Sequence, residues 1–359
     1  MANILTDYRR RPGRLSPISG IGGRPAATAP DGGNDNADKD DVGKTPRYTS
    51  AMTGVSFVVT VYNKAPYLPA VVDAIFGQQG DFAREIVFVD DGSTDESPAV
   101  LDRLCASRAD TRVIHQKNQG QVAATNAGVR ATTLPWLKLI DGDDVLAPYA
   151  TRLLLDAANS IGAKVAVGGM TTYTFGEPIV FDALDPKKAM ARSRNLFDEC
   201  LVNCPCNLSP TLIDRALYWE VGGADAQLFY VIDTALLTRV SCGRAVASVD
   251  AVVATGPVAA PNRMSADQRR MLMGHNQVMI RVLAENPELP RQKRHLVLER
   301  AFGRAWKWQR RRRGTSHFSR WFWLYALAKI APPGLVEPLL PKTLDAFTEA
   351  LIPRESAES

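Results

Sequence analysis

Asp141, Asp143 and Asp144 crowd the end of a short apolar run in Trp136-Leu-Lys-Leu-Ile-Asp-Gly-Asp-Asp-Val145. Oxygen-only ligands at this density suit a hard divalent ion, Mg²⁺ or Mn²⁺, of the kind that bridges protein carboxylates to substrate phosphates. A second acidic pair, Asp90-Asp91, ends another apolar run, residues 85–89. Carboxylates at the carboxyl ends of buried strands lie where open α/β sheets bind ligands. One cluster can accept hydrogen bonds from a nucleobase or ribose while the other holds a metal against a diphosphate. An isolated Asp-Gly-Asp-Asp would read as a solvated turn. Two acidic clusters in one repeating pattern read as a ligand crevice.

The elements that must position them follow a regular alternation. Residues 55–62 (Val-Ser-Phe-Val-Val-Thr-Val-Tyr) form a near-continuous β-branched and apolar run, the mark of a strand buried on both faces. Residues 66–78 carry Leu68, Val71, Val72, Ile75 and Phe76 at helical spacing, opened by Pro66. After the second strand, Ser93 and Glu96 have the spacing of a capping box, which predicts a helix from there to about Ala106. A strand over 112–115, a helix over 121–131 and a strand over 136–140 complete the series. Strand starts about 30 residues apart with helices between them are βαβ units, hence a mainly parallel sheet with helices on both faces. Further on, strands are expected over 164–172, 208–213 and near 245–255, with helices near 190–202 and 214–220. No Gly-x-x-x-x-Gly-Lys-Ser/Thr loop is present, so a metal has to hold the phosphates.

Four segments, 55–64, 86–95, 118–128 and 139–144, resemble, in order and spacing, the family 2 inverting glycosyltransferases of the GT-A fold. The resemblance covers about residues 55–170 well, extends to about 255, and is absent at both ends. It implies a nucleotide-sugar donor (UDP- or dTDP-linked), a Mn²⁺ or Mg²⁺ cofactor, and roles for particular residues. Thr60, Tyr62 and Asp91, with Asp90 beside them, match positions that hold the nucleotide base. Asp141 matches the first acid of the Asp-x-Asp motif, near the ribose. Asp143 matches the metal ligand, with Asp144 a second contributor. Asn118, Gly120, Asn126 and Gly128 match the loop and helix beneath the nucleotide. The chain departs from the family at Thr125, where an Arg is usual, which leaves the donor's identity open.

Inverting transfer is one displacement at the anomeric carbon, so the attacking hydroxyl needs a base. The family places it at the start of a helix about 90 residues after the metal motif, behind a Gly-Gly turn. Here Gly222-Gly223 precedes Asp233, the matching residue, with Asp225 the fallback. The usual acidic neighbour before the base is replaced by Ile232. In the loop 261–265, Arg263 is a candidate contact for the diphosphate. Gln309 is followed by arginines and not by the Arg-Trp of processive members, which implies transfer of a single sugar.

The ends of the 359-residue chain read differently. Residues 1–50 have no sustained apolar period and no hydrophobic leader core, which predicts a disordered tail and argues against export. The catalytic domain is expected over 51–260, with a nucleotide half (51–145) and an acceptor half (146–260), followed by a helical C-terminal region over 261–359. Residues 291–329 hold 12 Lys or Arg against one acid, Glu299, more positive charge than the whole chain's net +5. Beside them Trp321-Phe322-Trp323-Leu324-Tyr325 begins an apolar run far short of the ~20 residues that span a bilayer. Basic charge with interfacial aromatics describes a helix on an anionic membrane surface, on the cytoplasmic side, rather than a nucleic-acid partner. Cys200, Cys204 and Cys206 lack zinc spacing, and an odd total of five cysteines fits reduced thiols. The expected function is transfer of one sugar to a glycan or lipid-linked acceptor in cell-surface polysaccharide synthesis. The rivals are a sugar-nucleotide nucleotidyltransferase and a non-catalytic scaffold that binds glycans or membrane.

Overall fold

The β-branched run forms β1 (Gly54–Val61), and its side chains alternate between two cores. Phe57, Val59 and Val61 join one apolar cluster, and Val58 joins another on the opposite face. The structure, a computed structural model, describes residues 54–185, 187–258, 267–314 and 319–348. The N-terminal tail expected over 1–50 lies outside the described residues.

From β1 the chain runs through α1 (Leu68–Phe76), β2 (Ala83–Asp90), α2 (Ser97–Cys105), β3 (Thr111–His115), α3 (Gln121–Arg130) and β4 (Trp136–Asp141). β1 pairs in parallel with β2 and β4, and β2 with β3. The order β3-β2-β1-β4 reverses direction at β1, which opens a crevice at the carboxyl ends of β1 and β4. Helices α1 and α2 pack on one face of this half and α3 on the other, as βαβ crossovers require.

The expected capping box does not form. Helix α2 begins at Ser97; the Glu96 side chain before it makes no cap, and Asp95 instead accepts from the Ser97 N–H at 2.9 Å. The Ser93 hydroxyl accepts from the Asn63 backbone N–H at 2.9 Å, and the Asn63 side-chain Oδ1 accepts from the Thr94 N–H at 2.8 Å. Pairing between the loops after β1 and β2 outcompetes local capping. Helix α1 likewise starts later than the sequence suggests, with Pro69 and not Pro66 in its first turn.

The second half is mixed. β5 (Val145–Leu146) leads to α4 (Ala150–Ile161), which the sequence reading missed although Leu153, Leu154, Ala157 and Ala158 share a face and Gly162 ends it. β6 (Val165–Tyr173), β7 (Arg192–Arg194) and α5 (Leu196–Val202) follow. A helix was expected over 190–202, but its first residues pair with a later strand instead. β8 (Thr211–Asp214), α6 (Arg215–Glu220), a 3₁₀ turn (Ala226–Val231), α7 (Ile232–Ser241) and β9 (Val246–Pro257) complete the sheet. β8 joins it antiparallel to β4 and β6, and β9 runs parallel to β6.

The C-terminal helices are α8 (Gln268–Glu285), α9 (Arg291–Arg313), α10 (Arg320–Ile330), α11 (Pro333–Val336) and α12 (Asp345–Thr348). They share a core with the preceding half: Phe197, Leu201, Val231 and Ala235 pack with Val278, Met279, Leu298 and Phe302. Helix α7 is therefore covered on two sides, with Ile232, Leu236 and Val240 in the sheet's core and Ala235 in the helical one.

α3 lies close on β1 and β2 because Gly128 faces them. A Cβ built there would overlap Val58 Cγ1 and stand 3.1 Å from Val89 Cγ2. Alanine is the better helix former by about 1 kcal/mol, yet overpacking a filled core costs about 1–3 kcal/mol. Gly128→Ala is therefore expected to lower the urea midpoint of unfolding. An unchanged or raised midpoint would show that α3 can step back freely.

Candidate active site

The sheet register sets the site. Thr60 stands opposite Asp141, and Val61 opposite Asp90, so three strand ends finish level. The chain crosses between them on backbone hydrogen bonds: Gly142 N–H to Thr60 O (2.9 Å) and Asp91 N–H to Val61 O (2.8 Å). Asp90, Asp91, Asp143 and Asp144 are all buried at this edge. Tyr62, by contrast, is exposed.

Each carboxylate has its own donors. Asp91 accepts from the Gln116 amide (2.7 Å) and from the N–H groups of Gln119 (2.9 Å) and Gly120 (2.8 Å). It thereby fixes the loop that carries exposed Asn118 and leads into α3. Asp90 accepts from the Ser93 N–H and meets His115 Nδ1, both at 3.1 Å. Its hydrogen bond raises the His115 pKa, with Asp102 adding to the effect from the other side of the ring. Asp141 accepts from the Gln121 amide at 2.6 Å. Asp143 pairs with the Lys64 ammonium at 2.5 Å, and its carbonyl accepts from the Tyr173 hydroxyl at 3.1 Å. Asp144 accepts from the Ser209 hydroxyl at 2.6 Å. Space for Asp144 depends on Gly256 in β9, where a Cβ would overlap its Oδ1.

Asp233 sits in the first turn of α7 and accepts from the Leu208 N–H at 3.0 Å. Leu208 immediately precedes Ser209, so one short segment holds Asp233 and Asp144 together. Two side chains aim α7 at this spot. Asn126 in α3 accepts from the Tyr218 hydroxyl (2.7 Å) and donates to Ala224 O (2.8 Å). Arg239 donates to Val221 O (2.9 Å) and Gly223 O (2.7 Å). The amide of Asn126, matched to a nucleotide-site position, is thus spent gripping the Gly-Gly turn. Asp225 caps the 3₁₀ turn by accepting from the Gln227 N–H (2.9 Å), and it pairs with Arg281. Arg263 lies outside the described residues.

The electrostatics follow from crowding. Burial lifts the Asp141 pKa well above the usual carboxylate range, and the charges of Asp144, Asp233 and Asp143 lift it further. Burial raises Asp233 to about 6, against hydrogen bonds that pull it down. Beneath the cluster, Lys138 is fully buried and donates to Ser209 O and, at 3.2 Å, to Thr211 O. Burial lowers its pKa to about 7, opposed by Asp144. Lys64, Gln121, Ser209 and Lys138 were not assigned roles from sequence. Only Lys138 gave a signal, a charge inside an apolar strand.

Among the described residues, no three His, Cys, Asp or Glu side chains converge as a ready-made metal cage. Mg²⁺ in phosphate chemistry commonly takes one or two carboxylates and completes its shell with water and substrate oxygens. Asp143 and its acidic neighbours fit that mode, and the Lys64 ammonium stands at the carboxylate such a cation would use. Beyond Asp144, between β6, β9 and the segment before β8, lies an open cavity of about 400 Å³ lined by Met170, Arg194, Cys206, Asn207, Asp250 and Gly256.

An α/β sheet with carboxylates standing at its switch point is the GT-A arrangement. Residues 56–221 match glycosyl transferase family 2, and the chain carries a domain of that family. The succinoglycan biosynthesis protein ExoO of Rhizobium meliloti is 32% identical over 161 residues, 45% of this chain and 42% of that protein. The putative glycosyltransferase EpsH of Bacillus subtilis is 35% identical over 106 residues, 29% of this chain and 30% of that protein. The chain thus matches less than half the length of these relatives. Among solved structures, S. aureus TarS 1-349 in complex with UDP-GlcNAc gives a TM-score of 0.56 at 15% identity, covering 82% of this chain and 89% of that one. The Pyrobaculum calidifontis mannosyltransferase PcManGT, in complex with GDP-Man and Mn²⁺, gives 0.52 at 17% identity, covering 86% and 88%. These two likenesses concern the fold.

Lys138 makes a pH-dependent prediction. Its folded pKa lies below the unfolded value, so the unfolded state binds more protons between about pH 7 and pH 10, and stability rises with pH there. Urea midpoints of the wild type, measured across that window, should climb relative to those of Lys138→Met. Parallel curves for the two proteins would show that Lys138 keeps an ordinary pKa.

Proposed function

We propose that the protein transfers one sugar, with inversion, from a UDP- or dTDP-linked donor to a hydroxyl of a glycan or lipid-linked acceptor in polysaccharide synthesis. The observation that carries this is the junction at Leu208-Ser209, which joins the helix-start acid Asp233 to the strand-end acid Asp144. A carboxylate with a pKa raised by burial, beside a nucleotide crevice, has the properties of a general base. The family match favours transfer over nucleotidyl chemistry. The printed names of ExoO and of the TarS complex are consistent with polysaccharide synthesis and a nucleotide-sugar donor.

In this reading the donor lies across the ends of β1, β2 and β4. Thr60, Tyr62, Asp90 and Asp91, with the loop at Asn118 and Gly120, border the base, and Asp141 lies near the ribose. Asp143, with Asp144 beside it, would hold a Mn²⁺ or Mg²⁺ ion, which neutralises the diphosphate as a Lewis acid. Lys64 gives up its pairing with Asp143 and offers its charge to a phosphate oxygen. The acceptor approaches through the cavity beside Asn207 and Gly256. Its hydroxyl oxygen bonds to the anomeric carbon as the carbon–diphosphate bond breaks, and Asp233 takes the hydroxyl proton.

A base works deprotonated, so kcat/KM should fall as pH drops below about 6, the value to which burial raises Asp233. Asp233→Asn should lose that limb and lower kcat by roughly 10²–10⁴, with UDP affinity by calorimetry unchanged. Near-normal turnover by the variant would rule Asp233 out. The donor is identified by screening nucleotide sugars for slow hydrolysis.

The metal has its own test. EDTA should abolish turnover, Mn²⁺ should restore it, and Asp143→Asn should raise the Mn²⁺ concentration required. Full activity in EDTA would exclude a metal-assisted reaction.

A further inference from the structure

The C-terminal helices bury most of what made them look amphipathic. Leu298, Phe302 and Ala305 of α9 are fully buried, and Trp321 of α10 is 4% exposed. Several α9 cations are also engaged: Lys293 with Asp198 at 2.5 Å, Arg294 with Glu337, and Arg304 with the Asn276 oxygen at 2.8 Å. What remains on the surface is narrower. Trp323, Leu327 and Ile330 are 57%, 39% and 82% exposed. Their spacing of four and then three residues puts them on one stripe of α10. Leu335, 70% exposed, lies in the short helix that follows.

A run of rings joins α10 to the cationic end of α9. The Arg310 guanidinium lies 5.1 Å from the Trp306 ring, and Trp306 stacks on Tyr325 at 5.2 Å. The Lys329 ammonium lies 4.8 Å from the Tyr325 ring and 3.7 Å from the Glu299 carboxylate, with about half of its side chain exposed. Phe322 meets both Trp306 and Trp323 at 5.5 Å. Lys307, Arg311 and Arg312 are exposed at the same end of α9. Among the described residues no helix is long and apolar enough to cross a membrane.

We propose that the outer stripe of α10, with the cationic end of α9, docks the protein on an anionic lipid bilayer. Trp323, Leu327 and Ile330 enter the acyl boundary, and Lys307, Arg310 and Lys329 meet the headgroups. A second copy of the chain is the poorer occupant, because two-fold pairing of this face would bring its cationic rim against itself. The proposal stands apart from the reaction, since none of these residues belongs to the acid cluster.

The test is co-sedimentation of the full chain with phosphatidylcholine vesicles, with and without phosphatidylglycerol. Binding should require phosphatidylglycerol and weaken with salt. Trp323→Ser combined with Leu327→Ser should reduce it about tenfold or more, because the inserted apolar surface is gone. Lys307→Ser or Arg310→Ser should each reduce it about fivefold, the worth of one near-surface charge. Exposed positions should leave the thermal melt and lipid-free donor hydrolysis unchanged, which separates this outcome from that of the proposed reaction. Wild-type binding by the double variant, or equal binding to neutral vesicles, would overturn the proposal. A wild-type dimer that the double variant dissolves without lipid would also overturn it and identify a self-interface.

Discussion

Six carboxylates, Asp90, Asp91, Asp141, Asp143, Asp144 and Asp233, gather around one edge of a sheet, and the rest of the structure is organised by what it takes to keep them there. A buried ionised carboxylate is costly unless hydrogen-bonded, and like charges add to that cost. The donors come from distant parts of the chain: Lys64 after β1, Gln116 and the N–H groups of residues 119–120 before α3, Gln121 in α3, and Leu208 and Ser209 before β8. Each bond that quiets a charge also pins a loop. The same contacts therefore hold the parallel and the mixed halves of the sheet together.

The imbalance that remains has chemical use. The Asp141 and Asp233 pKa values are both raised by burial, in Asp141 with the help of neighbouring acids. A diphosphate brought to this edge adds negative charge to a region already rich in it. In the proposed reaction, counter-cations must arrive with it. Lys64 answers one carboxylate, while Lys138, its pKa lowered by burial, holds the Ser209 carbonyl from below. In that reading a divalent ion held at Asp143 would supply the remaining positive charge.

The parallel half was legible because its signals are local. β1, β2 and β4 each announce themselves by a run of apolar residues, and the acids that end β2 and β4 mark the carboxyl edge. The errors lie where distant contacts decide. Ser93 and Glu96 have capping-box spacing, yet Asn63, thirty residues back, takes the loop for its own hydrogen bonds. Residues 192–194 pair with β9, more than fifty positions on, instead of starting a helix. Lys64 and Ser209 look like ordinary loop residues until the fold sets them against Asp143 and Asp144. Asn126 belongs to a recognisable motif, but its partners, Tyr218 and Ala224, lie more than ninety residues away. Resemblance supplied Asp233, since one acid at a helix start is unremarkable by itself.

Helix α7 has its two sides in different cores, one made with the sheet and one with α8 and α9. The family match ends at residue 221, eleven residues before the first residue of that helix. The stretch that the family match covers and the stretch that must fold together are therefore different units. A chimera joined at residue 221 would give α7 a foreign neighbour on one side and its original bed on the other. A swap that respected the packing would have to carry α7 together with both of its beds, the sheet residues around Val58 and Leu137 and the helices α8 and α9, so that Asp233 moves with everything that braces it.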